Sequence, residues 1–315
     1  LRVVTGPAAV GEGDRAVVIE EGVPMLVHAP TVSVPVDPVT GGPSPEGWTG
    51  RGDTLPPVGS MDRFALLMAA DEGSLVVDEA ALALAGVFRP GLVVSEWMAH
   101  LDRMADGCAR DVHAVVDRVF RELGFAGNRC GYYDPRNSWL DEVIERRTGI
   151  PITLSIVVLA VARRVGLEMV GVGLPSHFLV RDLESGLFVD AFDEGALLDR
   201  DGVVRFYESL HDGQPLQEWM LDAVGVRSII RRMLNNLVAI GSMDRNVELR
   251  VRSTKARSLL PDATTADRLD LAGAYLAAGE VLRAADVLDA AVAEAPDEEH
   301  DTIARFASEV RGRLN

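Results

Sequence analysis

Apolar positions along the chain change their spacing as it proceeds, and each change marks a new kind of element. From Met61 they recur every three or four residues through DRFALLMAADEG, VDEAALALAGVF, LVVSEWMAHLDRMADGCA and ARDVHAVVDRVFRELGF, which stops at Gly124. That interval belongs to helices with one buried face, so four helices are expected. A loop, AGNRCGYYDPRNS, follows. Ser138, with Asp141 three residues on, reads as a capping box that opens a short helix ending by Gly149. GIPITLSIVVLAVARRVGLEM then opens on Pro151, suited to the first helical position because its missing N–H costs nothing there. Its early turns are apolar all round, as in a buried helix. After Gly166 the spacing becomes that of strands, in MVGVGL, SHFLVRD and GLFVDAF. A buried helix followed by this meander predicts an α+β core over residues 61–222, with helices packed on a small antiparallel sheet.

From VRSIIRRMLNNLVAIGSM onward only the helical spacing remains, so residues 223–315 are expected to form an all-α tail. Within it, Leu271, Ala272, Tyr275, Gly279, Ala284, Leu288, Ala291 and Pro296 fall on a tetratricopeptide-like pattern of two closely packed helices. Leu237 to Pro261, about 34 residues upstream, reads as a degenerate copy. Two such repeats are too few to stand alone, so the tail is expected to pack on the core. Residues 1–60 carry neither periodicity. VDPVTGGPSPEGWTGRGDTLPP is rich in Pro, Gly and Thr, and the region is expected to be a largely disordered extension. Ala16–Ile19 and Pro24–Val27 leave room for a loose hairpin. The chain opens on Leu1 while Met61 begins the first periodic segment, which raises the question of a start codon set too far upstream.

Composition adds limits. The 315 residues suit about two domains, and 48% hydrophobic residues supply a sizeable core. A net charge of −17 opposes nucleic acid and anionic membranes unless the charge is segregated, and it is. Residues 225–257 hold eight basic side chains against two acids; residues 262–301 hold eleven acids against two arginines. Arg231, Arg232, Arg250 and Arg252 would form a docking surface for an acidic protein partner if they faced outward together; pairing with the acidic helices is the alternative. No aromatic side chains alternate with these arginines, which argues against nucleic acid. Cys108 and Cys130 form no CxxC pair, so a reducing, cytoplasmic setting is expected. Cys108 and His113 lack a second ligand pair, so neither a metal nor a cofactor is expected. The longest apolar run, Ile156 to Ala162, is far short of the ~20 residues of a membrane span. No basic region followed by an apolar stretch opens the chain as a leader.

Two polar residues stand out in the meander. His177 and Asp190 fall on strands joined by a short turn, where they can face each other. A carboxylate beside an imidazole fixes its tautomer, and a nucleophile at the start of the buried helix would complete a thiol-protease arrangement. YYDPRNSWLDEVIERRTGIPITLSIVVLAVARRVGL, followed by GVGLPSHFLVR and FVDAF, resembles the SirB family of transglutaminase-like proteins, from Arg63 to the C-terminus. The resemblance implies a papain/transglutaminase-like core, whose wider superfamily uses a Cys-His-Asp triad. His177 and Asp190 match two members of that triad. Aligning Ser155 and Gly166 with the superfamily's small residue and helix-closing glycine puts the nucleophile position at Pro151. The nearest hydroxyls are Thr153 and Ser155, and Cys130 lies ahead of the helix. Asn137, beside Arg136, is either an oxyanion-type donor or a loop brace; Tyr132 and Tyr133 read as packing residues. The missing cysteine favours a pseudoenzyme, a non-catalytic scaffold. The alternative is a hydrolase or acyltransferase on amide bonds, using His177 and Asp190 with an unorthodox nucleophile.

Overall fold

The buried helix is the axis of the molecule. In a computed structural model that describes residues 60–314, it runs from Pro151 to Arg164, and every residue from Pro151 to Ala162 is buried. A helix apolar on all sides has no solvent face, so other elements must surround it. The helices ahead of it are α1 (Ser60–Met68), α2 (Val77–Phe88), α3 (Val94–Ala105), α4 (Val112–Val116) and α5 (Leu140–Arg146); the buried helix is α6. α4 continues as a π-helical turn, Asp117–Glu122. Two-residue strands β1 (Ala126–Gly127) and β2 (Thr148–Gly149) pair in parallel and fix the loop between them. The expectation for residues 1–60 lies outside the described residues, apart from Ser60.

After α6 come β3 (Met169–Val172), β4 (Leu179–Asp182), β5 (Phe188–Asp190) and β6 (Ala196–Leu198), an antiparallel sheet in that order. One face of the sheet, with Val180 and Val189, joins the core around α6. The other, with Val172, Leu179 and Phe188, packs on Val203 and Tyr207 of α7 (Arg200–Leu210). The expected meander is thus present, with a fourth strand and a covering helix.

The tail consists of α8 (Val226–Met243), α9 (Val247–Ser258), α10 (Thr265–Ala277), α11 (Val281–Glu294) and α12 (Asp297–Gly312). Ile229, Ile230, Met233 and Leu234 of α8 enter the same hydrophobic core as α6, together with Ala256 and Leu260. α8 and α9 cross closely at Gly241, where an added Cβ would sit 2.9 Å from the Arg250 amide nitrogen. A second cluster, including Leu271, Tyr275, Ala284, Leu288 and Val310, joins α10, α11 and α12.

One local expectation fails. Ser138 does not cap α5; it ends a 3-10 turn, Pro135–Ser138, with its hydroxyl buried and unpartnered, and α5 starts at Leu140. Asp141 instead pairs with Arg89 at the end of α2. A capping box does form at Thr264 and Asp267, where α10 begins.

Candidate functional site

His177 lies in the β3–β4 loop rather than on a strand. Leu174 accepts the His177 amide at 3.2 Å, and Ser176 adopts the left-handed region at φ 60°, so β4 begins only at Leu179. A left-handed residue without glycine's freedom costs roughly 1 kcal/mol, so the turn must be held by its neighbours. Asp190 ends β5. The pairings Arg181↔Phe188 and Val180↔Val189, continued by one residue, bring Leu179 opposite Asp190 and His177 just beyond it.

The expected contact is made. His177 Nε2 lies 3.0 Å from Asp190 Oδ1, with His177 9% and Asp190 4% exposed. The same oxygen accepts the amides of Phe192, at 3.0 Å, and Asp193, at 3.2 Å. Three donors on one oxygen fix the carboxylate, which as an acceptor requires Nε2 to carry the proton. The imidazole meets the Phe206 ring edge-on at 4.9 Å, so the pair lies on the α7 side of the sheet. This is an oriented His–Asp pair of the kind that serves a nucleophile.

The start of α6 offers none. Pro151 holds the first helical position, and Thr153 is fully buried. The Thr153 hydroxyl donates to the Asn137 carbonyl at 2.8 Å and accepts the Ile150 amide at 3.1 Å, so it serves the helix start. Ser155 is also fully buried. Cys108 and Cys130 are both free thiols, and burial raises the Cys108 pKa, away from the thiolate a nucleophile needs.

Asn137 makes four side-chain hydrogen bonds. Its amide nitrogen donates to the carbonyls of Gly131, at 2.7 Å, and Tyr132, at 3.1 Å. Its oxygen accepts from Asn128, at 3.1 Å, and Arg146, at 3.0 Å. Both of its N–H groups are thus engaged by the loop. Arg136 pairs with Asp134, and that hydrogen bond holds the Asp134 pKa below its ordinary value. Tyr132 packs edge-on against Tyr133 and Phe192. His113 is exposed on α4, and among the described residues no group of three metal-ligating side chains assembles.

The four tail arginines do not share an outward face, because the core and the acidic helices take them in different directions. Arg231 pairs with Asp262, at 3.0 Å, and Asp267, at 2.8 Å. Arg232 turns to the β3–β4 loop, donating to the carbonyls of Leu174, at 2.8 Å, and His177. Arg250 has its Nε buried without a partner, and Arg252 pairs with Glu248 at 2.6 Å. Arg232 is therefore the residue whose place the sequence hid: its signal is an α-helical arginine, but its neighbours are those of the histidine.

The sheet, the buried helix and the His–Asp pair all lie within residues 93–235. The profile of the transglutaminase-like superfamily matches residues 93–235. Relatives include a UPF0162 protein of Xylella fastidiosa, 41% identical over 135 residues, or 40% of this chain and 48% of that one. Protein SirB1 of Salmonella typhimurium is 27% identical over 142 residues, covering 44% of this chain and 52% of its own. F-box only protein 21 of Mus musculus is 35% identical over 136 residues, covering 40% and 21%. Residues 93–235 form a transglutaminase-like domain, and the chain is homologous to the SirB1 and UPF0162 proteins. The matches span about half the length of these bacterial relatives. No solved structure matches the chain. Among the described residues no helix is long and apolar enough to cross a membrane.

Proposed function

We propose that the chain is a non-catalytic transglutaminase-like protein that acts as a protein-interaction or regulatory scaffold. The observation that carries this reading is Pro151, which occupies the helix start where the superfamily's cysteine belongs. An oriented imidazole with no nucleophile at the helix start lacks the group that begins covalent amide chemistry in the superfamily. The hydroxyl of Thr153 is committed to its own helix, and Ser155 is sealed in the core. Two free thiols fit a reducing, cytoplasmic setting.

The tail supplies the interaction surface in this reading. Among the described residues, Met61, Val251, Lys255 and Tyr275 line a groove of about 480 Å³ between α9 and the α10–α11 pair, together with Arg252 and Arg283, which pair with Glu248 and Glu280 of the same lining. With three cationic and two acidic side chains in its lining, the groove keeps a small positive excess that orients an acidic peptide and speeds its capture. The test is quantitative pull-down with the full chain from its host. Partners recovered by the wild type are expected to be recovered equally by His177→Ala and to fall away with Arg252→Glu/Lys255→Glu, with thermal melting unchanged. Equal recovery by the charge-reversed variant rejects the groove, and loss of every partner in His177→Ala rejects a role independent of the core pair.

A further inference from the structure

His177 sits in a loop, residues 173–178 between β3 and β4, so strand pairing alone does not aim its imidazole. The loop's own conformation works against it. Ser176 takes the left-handed region at φ 60°, and its hydroxyl is buried without a hydrogen-bond partner. Against those two costs the loop sets one internal bond, from the His177 amide to the Leu174 carbonyl at 3.2 Å. A strained turn of this kind persists where its surroundings hold it.

Arg232 of α8 supplies that hold. Its Nη2 donates to the carbonyls of Leu174, at 2.8 Å, and His177, the two residues that close the turn. Its guanidinium lies 5.6 Å from the centre of the Phe178 ring. A Cβ on Gly173 would stand 3.3 Å from Nη1, so glycine at that position leaves the arginine room. Arg164 and Arg257, also drawn into the protein, each meet carboxylates. Among the described residues no carboxylate pairs with Arg232, and its hydrogen bonds go to this loop. A guanidinium taken out of water without a countercharge is costly, and burial holds the Arg232 pKa below the ordinary arginine value. Hydrogen bonds from a charged donor are the strong kind, so the two carbonyls offset that cost and are gripped in return.

The grip is rigid at both ends. Ile229, Ile230, Met233 and Leu234 anchor α8 in the core around α6. At the other end, His177 Nε2 stands 3.0 Å from Asp190 Oδ1. A hydrogen bond is lost by about 3.6 Å, so a shift of roughly half an ångström in the turn is enough to open the pair.

We propose that Arg232 is a positioning residue for the His177–Asp190 pair, fixing from the tail the turn that presents the imidazole to the carboxylate. The tail thereby contributes to the histidine's site, whether or not a nucleophile serves the pair.

The test is the rate at which the His177 Nε2 proton of the ¹⁵N-labelled full chain exchanges with water, read by saturation transfer. Loss of the resonance in His177→Gln assigns it. Arg232→Met removes the donors and keeps an unbranched side chain, and exchange is expected to rise about tenfold or more. Arg232→Lys keeps the charge but offers a single nitrogen, and a rise of about threefold or more is expected. Arg231, the next residue on α8, pairs instead with Asp262 and Asp267. Arg231→Met is expected to lower the melting temperature yet leave exchange within about twofold of wild type. Should Arg232→Met fail to fold, Arg232→Lys decides against Arg231→Met. Wild-type exchange in the deciding Arg232 variant overturns the proposal. So does equal acceleration by Arg231→Met, which marks a general loosening. A wild type whose Nε2 proton exchanges too fast to detect also overturns it, because no pair is then held.

Discussion

Asn137 shows how much one side chain holds in place around the candidate site. Three of its side-chain hydrogen bonds fix the 128–132 loop, a fourth takes Arg146 of α5, and its own carbonyl accepts the Thr153 hydroxyl at the start of α6. Truncating it leaves two part-buried carbonyls and the Asn128 and Arg146 donors without this partner. Asn137→Ala is expected to lose about 2–4 kcal/mol in urea unfolding. A loss under about 0.5 kcal/mol would show that water replaces the brace. The sequence offered Asn137 two roles with the same donors, and the places of the Gly131 and Tyr132 carbonyls, which take those donors, were not legible in it. His177 and Asp190 were readable because strand pairing is local, thirteen residues apart. Arg232 was not, because its partners lie 55 and 58 residues away, across a fold-back of α8 that no local pattern encodes.

Among the elements, the α9–α10 junction depends on one carboxylate. Asp267 caps α10 through the Thr264 amide and pairs with Arg231 and Arg257. Burial pushes its pKa up, but the Thr264 amide and the two guanidiniums outweigh burial and hold it below the ordinary 3.8. A depressed folded-state pKa contributes stability that is present above the unfolded value and lost as pH falls through the folded one. Asp267→Asn is therefore expected to be less stable than wild type at neutral pH, with the gap closing below pH 3.8. A gap that stays constant from neutral pH to about pH 2 would assign the effect to shape rather than charge. The Thr264–Asp267 box obeys the capping rule, while Ser138–Asp141 has the same spacing and breaks it. Arg89 draws Asp141 away, and burial raises the Asp141 pKa despite that arginine. Helix α6 was legible because an all-round apolar run can only be interior. The start of β4 was misplaced because Ser176 takes a left-handed turn that the apolar pattern does not record.

At the scale of the whole molecule, the tail and the core are not independent pieces. α8 buries four apolar residues in the core of α6, and Arg227 at its start bonds the Met68 carbonyl at 2.9 Å and pairs with Glu72 at 3.1 Å. Much of the basic stretch is thereby spent on internal ties, which an uneven charge count alone could not distinguish from an outward patch. Among the described residues, the tail groove remains open to solvent. In the proposed function the His177–Asp190 pair serves no nucleophile. The most direct measurement is amide turnover by the full chain: ammonia release from a glutamine peptide and incorporation of a primary amine, each compared with His177→Ala and with iodoacetamide-treated protein. The account predicts the same background rate in all three. Turnover above background that either His177→Ala or iodoacetamide abolishes would contradict it and restore a catalytic triad.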